Sequence, residues 1–302
     1  MNKTPGQLHQ GDVVSLVATA RKVNEPEMEF AKQLLTSWGL IVKEGKHLYS
    51  DTGGYFSATD ALRLQDLQQA LNDTEIKAIL CARGGYGTTR ILDSLNFSKF
   101  HQHPKWIIGF SDITSLHIAV CNEHVMSIHG NMPISMHHQK AEQANVALQN
   151  LLFSGRPNPI LWNTQTKGKQ GSAEGVLAGG NLSLLVDSIG TKTEVNTNNC
   201  VLILEEIDEY HYKIDRMLNQ LKRAGKLDKL AALLIGYFTD CKQGSFPFHN
   251  SIEEIIKDYT KEYNYPVGFN FPSGHEQPNM PWIHGAKVKV DVAMGLSTLQ
   301  YV

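Results

Sequence analysis

Residues 79–93 read ILCARGGYGTTRILD: an apolar run, a turn built from three glycines, and then the start of a helix. An unbroken apolar run is what a strand covered on both faces requires, and Lys77–Ala82 fits one. Gly84, Gly85 and Gly87 allow a sharp turn before a helix over Thr88–Leu95. The same alternation extends on either side. Val13–Thr19 reads as a buried strand. Asn24 can cap a helix with Pro26 in its first turn, an apolar face of Phe30, Leu34, Leu35 and Trp38, and Gly39 as its stop. A strand at Leu40–Val42, a helix over Thr59–Leu71, a strand at Trp106–Phe110 and a helix over Asp112–Asn122 follow. Such alternation predicts βαβ units and a parallel sheet covered on both faces, an α/β fold.

The texture changes after a helix over Ala144–Phe153. Residues 154–175, SGRPNPILWNTQTKGKQGSAEG, collect Gly, Pro, Ser, Asn, Gln and Thr, so an N-terminal domain is expected over 1–155, a linker over 156–172 and a C-terminal domain over 173–302. The latter holds a glycine-asparagine turn within Gly175–Gly190, strands at Val201–Leu204, Leu230–Phe238 and Pro266–Phe269, and helices over Tyr212–Ala224 and Ser251–Tyr259. It is again α/β.

Composition narrows the function. Lys plus Arg (28) nearly balances Asp plus Glu (30) over 302 residues, and no dense basic run offers a polyanion footprint, so nucleic acid is not expected as a partner. The opening MNKTPGQLHQGD lacks the apolar core of a secretory signal, and the longest apolar run, Leu230–Phe238, is far short of a bilayer span, so no membrane association is expected. Cys81, Cys121, Cys200 and Cys241 are scattered without a CxxC pair, as suits a reducing compartment, and the cytoplasm is the expected location.

Four segments carry candidate chemistry. In WIIGFSDITSLHIAV, Ser111 stands at the joint between strand and helix, where an abrupt turn exposes a side chain at the sheet's carboxyl edge; a plain helix N-cap is the simpler reading. The turn Arg83-Gly84-Gly85-Tyr86-Gly87 can converge backbone N–H groups on an anion, or simply serve as a βα turn. Its third dinucleotide-fingerprint glycine is absent, Arg90 taking that place. Glu205 and Glu206 follow four apolar residues, so Glu205 is delivered to the sheet edge, either as a partly buried working group or as a solvated strand end. His275, in NFPSGHEQPNMPW, sits in a Gly- and Pro-rich loop that can aim an imidazole; Asn279 stands where a zinc-binding H-E-x-x-H motif needs its second histidine, so no metal is expected. Pairs such as His101/His103 and His137/His138 read as surface. Ser111, Glu205 and His275 supply a nucleophile, an acid and a base, and a serine hydroxyl needs an imidazole and an orienting carboxylate to become reactive.

These segments, with Gly179-Gly180-Asn181-Leu182 and Tyr212-x-x-Asp215-Arg216, occur in the order seen in the LD-carboxypeptidase family of serine peptidases, which the chain resembles from Val13 to about Val290. The resemblance implies a flavodoxin/Rossmann-like N-terminal domain and a swivelling-type C-terminal α/β domain. It implies Ser111 as nucleophile, Glu205 and His275 as its partners, and oxyanion N–H groups from Gly85 and Asp112. Further implications are release of D-alanine from murein tetrapeptides during cell-wall recycling, no cofactor, and a homodimer. A carboxypeptidase must also recognise a free carboxylate, for which Arg83 is the candidate, with Asn181 a second substrate-binding candidate. Two other readings stay open. One is a microcin-immunity-type amidase, for which aromatic residues would be expected over Asn163–Ala173, where there are none. The other is a non-catalytic nucleotide- or sugar-phosphate-binding module using the glycine turn.

Overall fold

The computed structural model describes residues 2–155, 157–164 and 168–302, which divide into two compact units, Met1–Pro157 with Met280–Gly285, and Asn158–Asn279 with Ala286–Val302. Arg156 and residues 165–167, part of the expected linker, lie outside the described residues.

The first unit is built on β1 (Val13–Val17), β2 (Ile41–Glu44), β3 (Ile76–Cys81), β4 (Trp106–Gly109) and β5 (Ser127–His129). These five run parallel in the order β5-β4-β3-β1-β2, and Trp282–His284 pairs antiparallel on β5 to make the sixth strand. The order is that of a flavodoxin-like doubly wound sheet, in which β1 and β3 flank the point where the winding reverses and their carboxyl ends open a crevice for ligands. Connections run through α1 (Glu25–Ser37), α2 (Asp60–Asn72), the short α3 (Thr89–Leu92) and α4 (Ser98–Gln102), α5 (Thr114–Asn122) and α6 (Glu142–Ser154). Asn24 caps α1 in a capping box with Glu27, worth about 1 kcal/mol. Ile79, Ile107, Leu67, Leu71, Leu116 and Val120 lie in one buried cluster, each contributing on the order of 2 kcal/mol by leaving water.

The second unit contains β6 (Ile160–Thr164), β7 (Gly171–Asn181), β8 (Cys200–Ile207), β9 (Ala232–Thr239) and β10 (Val267–Gly268). Counting Trp282–His284 as β11, it is completed by β12 (Lys287–Val292) and β13 (Gly295–Tyr301), with α7 (Leu182–Asp187), α8 (His211–Arg223) and α9 (Ile252–Thr260). Its sheet runs β10-β9-β8-β7-β12-β13-β6; the first four strands are parallel and the rest antiparallel. Ile214, Leu218 and Leu221 are the buried stripe of α8, at helical spacing. β6 falls inside the segment expected to be linker. Its buried Ile160, Trp162 and Thr164 alternate with exposed Leu161 and Asn163, a half-buried pattern that composition alone conceals.

Candidate active site

In the first unit, β4 ends at Gly109 and the chain turns through Ser111–Ile113, a single 3-10 turn, into α5. Ser111 has φ +63°, a left-handed conformation that costs an L-residue about 1–2 kcal/mol. The N-cap positions fall on Phe110 for the 3-10 turn and on Ile113 for α5, so the simpler reading of Ser111 as a helix N-cap is replaced by a strained strand-to-helix elbow. Helix α5 starts at Thr114, two residues later than the sequence suggests.

The glycine turn after β3 lies against this elbow. A Cβ built on Gly84 would stand 3.1 Å from the Ser111 Cβ and 3.2 Å from its Oγ, so any side chain here would push against the hydroxyl. Gly85 follows at φ +107° and is exposed. Asp112 is 1% exposed, and its carboxylate accepts the Thr88 N–H at 3.0 Å. Burial pushes that carboxyl up, while hydrogen bonds from Thr88 and Gly87 and the charge of Arg63 work the other way. The Asp112 side chain therefore ties the glycine turn to the elbow, a role separate from the backbone N–H assigned to it by the resemblance.

Arg63 completes the tie. It is 1% exposed on the core face of α2, and its guanidinium donates to the carbonyl of Thr19, to that of Gly87 at 2.9 Å, and to Asp60. One buried cation thereby joins the segment after β1 to the turn after β3. Sequence reasoning missed it. The signal was there, because Arg63 shares the spacing of buried Leu67, Ala70 and Leu71 along α2, and a charge on a core face must be paired.

In the second unit, Glu205 and Glu206 end β8, where the register with β9 shifts between Leu204 and Glu206, an irregularity of the kind that re-aims side chains at sheet edges. Glu205 has no exposed surface and Glu206 only 2%. Their duties differ. Glu206 accepts Asn181 Nδ2 at 2.8 Å, and Ser183 N–H and Oγ at 2.9 and 2.6 Å; burial pushes its carboxyl up against these bonds. Glu205 Oε2 stands 2.7 Å from Nδ1 of His275. Burial opposes a charge on that ring, but the Coulombic pull and hydrogen bond of Glu205, with Glu206 behind it, outweigh burial and hold the imidazole above its ordinary value. The carboxylate accepts a hydrogen bond from Nδ1–H, which in the neutral ring leaves the lone pair on Nε2.

The loop bearing His275 hangs from β9 through Tyr237 N–H to Ser273 O at 2.8 Å and is braced by Gly274 N–H to Asn279 Oδ1 at 2.9 Å. Gly274 has φ +129°, which disfavours any L side chain, and a Cβ there would press on the Glu205 Oε2 at 3.0 Å.

The remaining candidates are engaged within their own units. Arg83 pairs with Glu27 at 3.6 Å. Asn181 is 3% exposed, gives its amide to Glu206 and accepts the Leu184 N–H as N-cap of α7. No group of three or more His, Cys, Asp or Glu that could hold a metal exists among the described residues. No helix among them is long and apolar enough to cross a membrane.

A flavodoxin-like unit bearing a serine elbow and a mixed-sheet unit bearing a buried carboxylate–imidazole pair define a two-unit α/β hydrolase. Residues 14–130 match the LD-carboxypeptidase N-terminal domain and residues 174–290 the LD-carboxypeptidase C-terminal domain. The chain belongs to the LD-carboxypeptidase family and is a serine-type carboxypeptidase. It is 36% identical over 305 residues, 97% of this chain and 93% of the other, to the probable murein peptide carboxypeptidase of Bacillus subtilis. The crystal structure of muramoyltetrapeptide carboxypeptidase from Oxalobacter formigenes superposes with a TM-score of 0.87 at 25% identity, covering 96% of this chain and 98% of that one. The wild-type microcin C7 self-immunity protein MccF also gives a TM-score of 0.87, over 99% of this chain and 98% of that one, but at 19% identity, a likeness of fold alone.

Proposed function

We propose that the chain removes the terminal D-amino acid, D-alanine, from murein tetrapeptides, with Ser111, Glu205 and His275 acting as one catalytic set. The observation that carries the reading is the 2.7 Å pair between the buried Glu205 and His275, because a carboxylate-held imidazole is the base that an alcohol nucleophile needs. The strained conformation of Ser111 supports it from the other unit, as do the murein substrates in the names of two relatives.

In the proposed reaction His275 Nε2 takes the Ser111 proton and the alkoxide attacks the carbonyl of the residue preceding the D-amino acid. The N–H groups of Gly85 and Asp112 hold the tetrahedral oxygen. His275 then returns its proton to the leaving amine, and water repeats the sequence on the acyl-enzyme, regenerating the serine. Asn181 serves this scheme indirectly, by fixing Glu206 beneath the Glu205 end of β8. A cytoplasmic location fits the scattered cysteines, which form no disulfide among the described residues, and the homodimer rests on the resemblance alone.

The test is mass spectrometry of purified muropeptides incubated with the protein. A loss of one alanine from tetrapeptides, absent in Ser111→Ala, is expected; intact tetrapeptide after prolonged incubation with the wild type would refute the assignment.

A further inference from the structure

A peptidase that acts only at a chain end must read the terminal carboxylate. Only the amide nitrogen and one Cα separate that carboxylate from the scissile carbonyl, a span under about 4 Å, so its receptor has to lie beside the turn that faces the nucleophile. Four arginines surround that turn. Arg63 is buried and spent on Thr19 O, Gly87 O and Asp60. Arg90 pairs with Asp60 at 2.6 Å and Arg83 with Glu27 at 3.6 Å.

Arg21 differs. It follows β1, is exposed, and its N–H donates to Gly84 O at 3.3 Å. Its side chain lies along Gly85, with Cβ 3.0 Å and Cδ 3.5 Å from the place a Gly85 Cβ would occupy, and the Tyr55 hydroxyl is 3.1 Å from the same point. The guanidinium stands 5.7 Å from the Tyr55 ring centroid and meets no carboxylate among the described residues. Arg21 and Gly85 thus stand at the carboxyl ends of β1 and β3, the two sides of the switch-point crevice where such sheets bind ligands.

We propose that Arg21 is the docking cation for the free α-carboxylate of the departing D-residue, and that this contact makes the enzyme an exopeptidase. The inference rests on the carboxypeptidase reading. A planar guanidinium can take both carboxylate oxygens, and a lysine in its place keeps the charge but loses the fork.

The experiment compares a murein tetrapeptide ending in D-alanine with the same peptide ending in D-alanine amide, using the wild type, Arg21→Met and Arg21→Lys. On the acid, Arg21→Met is expected to lower kcat/KM about 10- to 100-fold, mainly through KM, with Arg21→Lys between. On the amide, the wild type is expected to fall to the level of Arg21→Met, because the charge that Arg21 answers has gone. Unchanged kcat/KM of Arg21→Met on the acid overturns the inference while leaving the carboxypeptidase reading intact, and an equal loss on both peptides assigns Arg21 a structural role and overturns it too. A wild type that cleaves neither peptide overturns both readings together.

Discussion

Nδ1 of His275 lies 2.7 Å from Oε2 of Glu205, a carboxylate with no exposed surface, in a loop whose Gly274, at φ +129°, packs directly on that carboxylate. The pair fixes both the tautomer and the basicity of the imidazole. A base works when neutral, and Glu205 holds His275 above its ordinary value against the opposing effect of burial. The acid limb of kcat/KM is therefore expected above the reference value of about 6.5. Glu205→Gln removes the main opposition to burial and leaves only the weaker pull of Glu206, so its limb should move to lower pH while kcat drops by up to about 10⁴-fold. A wild-type limb at or below pH 6.5 would contradict this account.

Ser111 separates chemistry from conformation. Ser111→Ala is expected to abolish turnover with little change in melting temperature. Ser111→Gly should be equally inactive yet more stable than the alanine variant by about 1 kcal/mol, since glycine alone adopts φ near +63° without strain. Urea unfolding of the two variants decides it, and equal stabilities would mean that the elbow stores no strain.

Gly84→Ala places a methyl group 3.2 Å from the Ser111 Oγ. That contact is too tight to keep the hydroxyl where it is, and mild enough for the fold to survive. A fall in kcat of about 10- to 100-fold with an unchanged circular dichroism spectrum is expected. Wild-type kcat would show that the close approach is incidental.

A fourth expectation concerns acid stability. Beneath the elbow, His117 accepts from Ser127 Oγ at 2.8 Å and donates to Gly109 O at 2.9 Å, and stacks on His284 with ring centroids 4.6 Å apart. Burial pushes His117 down to about 4 and His284 well below its ordinary value, the latter helped by neighbouring His117 and His129. Below pH 6.5 the unfolded chain takes up protons that the folded chain refuses, so stability should fall as the pH drops towards 4, by about 3 kcal/mol for His117 alone. Urea midpoints measured from pH 7 to 4.5 test this, with His284→Phe expected to flatten the slope. A midpoint independent of pH would exclude the buried histidines as the cause.

Much of this was legible in the sequence where a single local rule governs. Asn24 and Thr59 cap α1 and α2 as their side chains require, and the apolar runs at Val13, Lys77, Trp106 and Val201 are strands because each is covered on both faces. The edges were not legible. β5 and β11 have three residues each and include His129 and His284, which read as polar until Trp282 stacks on the His129 ring at 4.9 Å. The sequence singled out Glu205 but not the separate duty of Glu206, which shows only through the register shift beside β9 and the hydrogen bonds that bind Glu206 to α7. Arg83 drew notice as the cation inside the motif, whereas Arg21 reaches the same turn from another strand, a proximity created by the winding order.

Trp282 pairs with His129 across the sheet of the first unit, although the intervening chain builds most of the second. Translation therefore makes β5 long before its border strand, and β5 waits with one flank of amides and carbonyls unmatched until Trp282–His284 follow. Chains cut short before Trp282 would carry an open, sticky margin along β5.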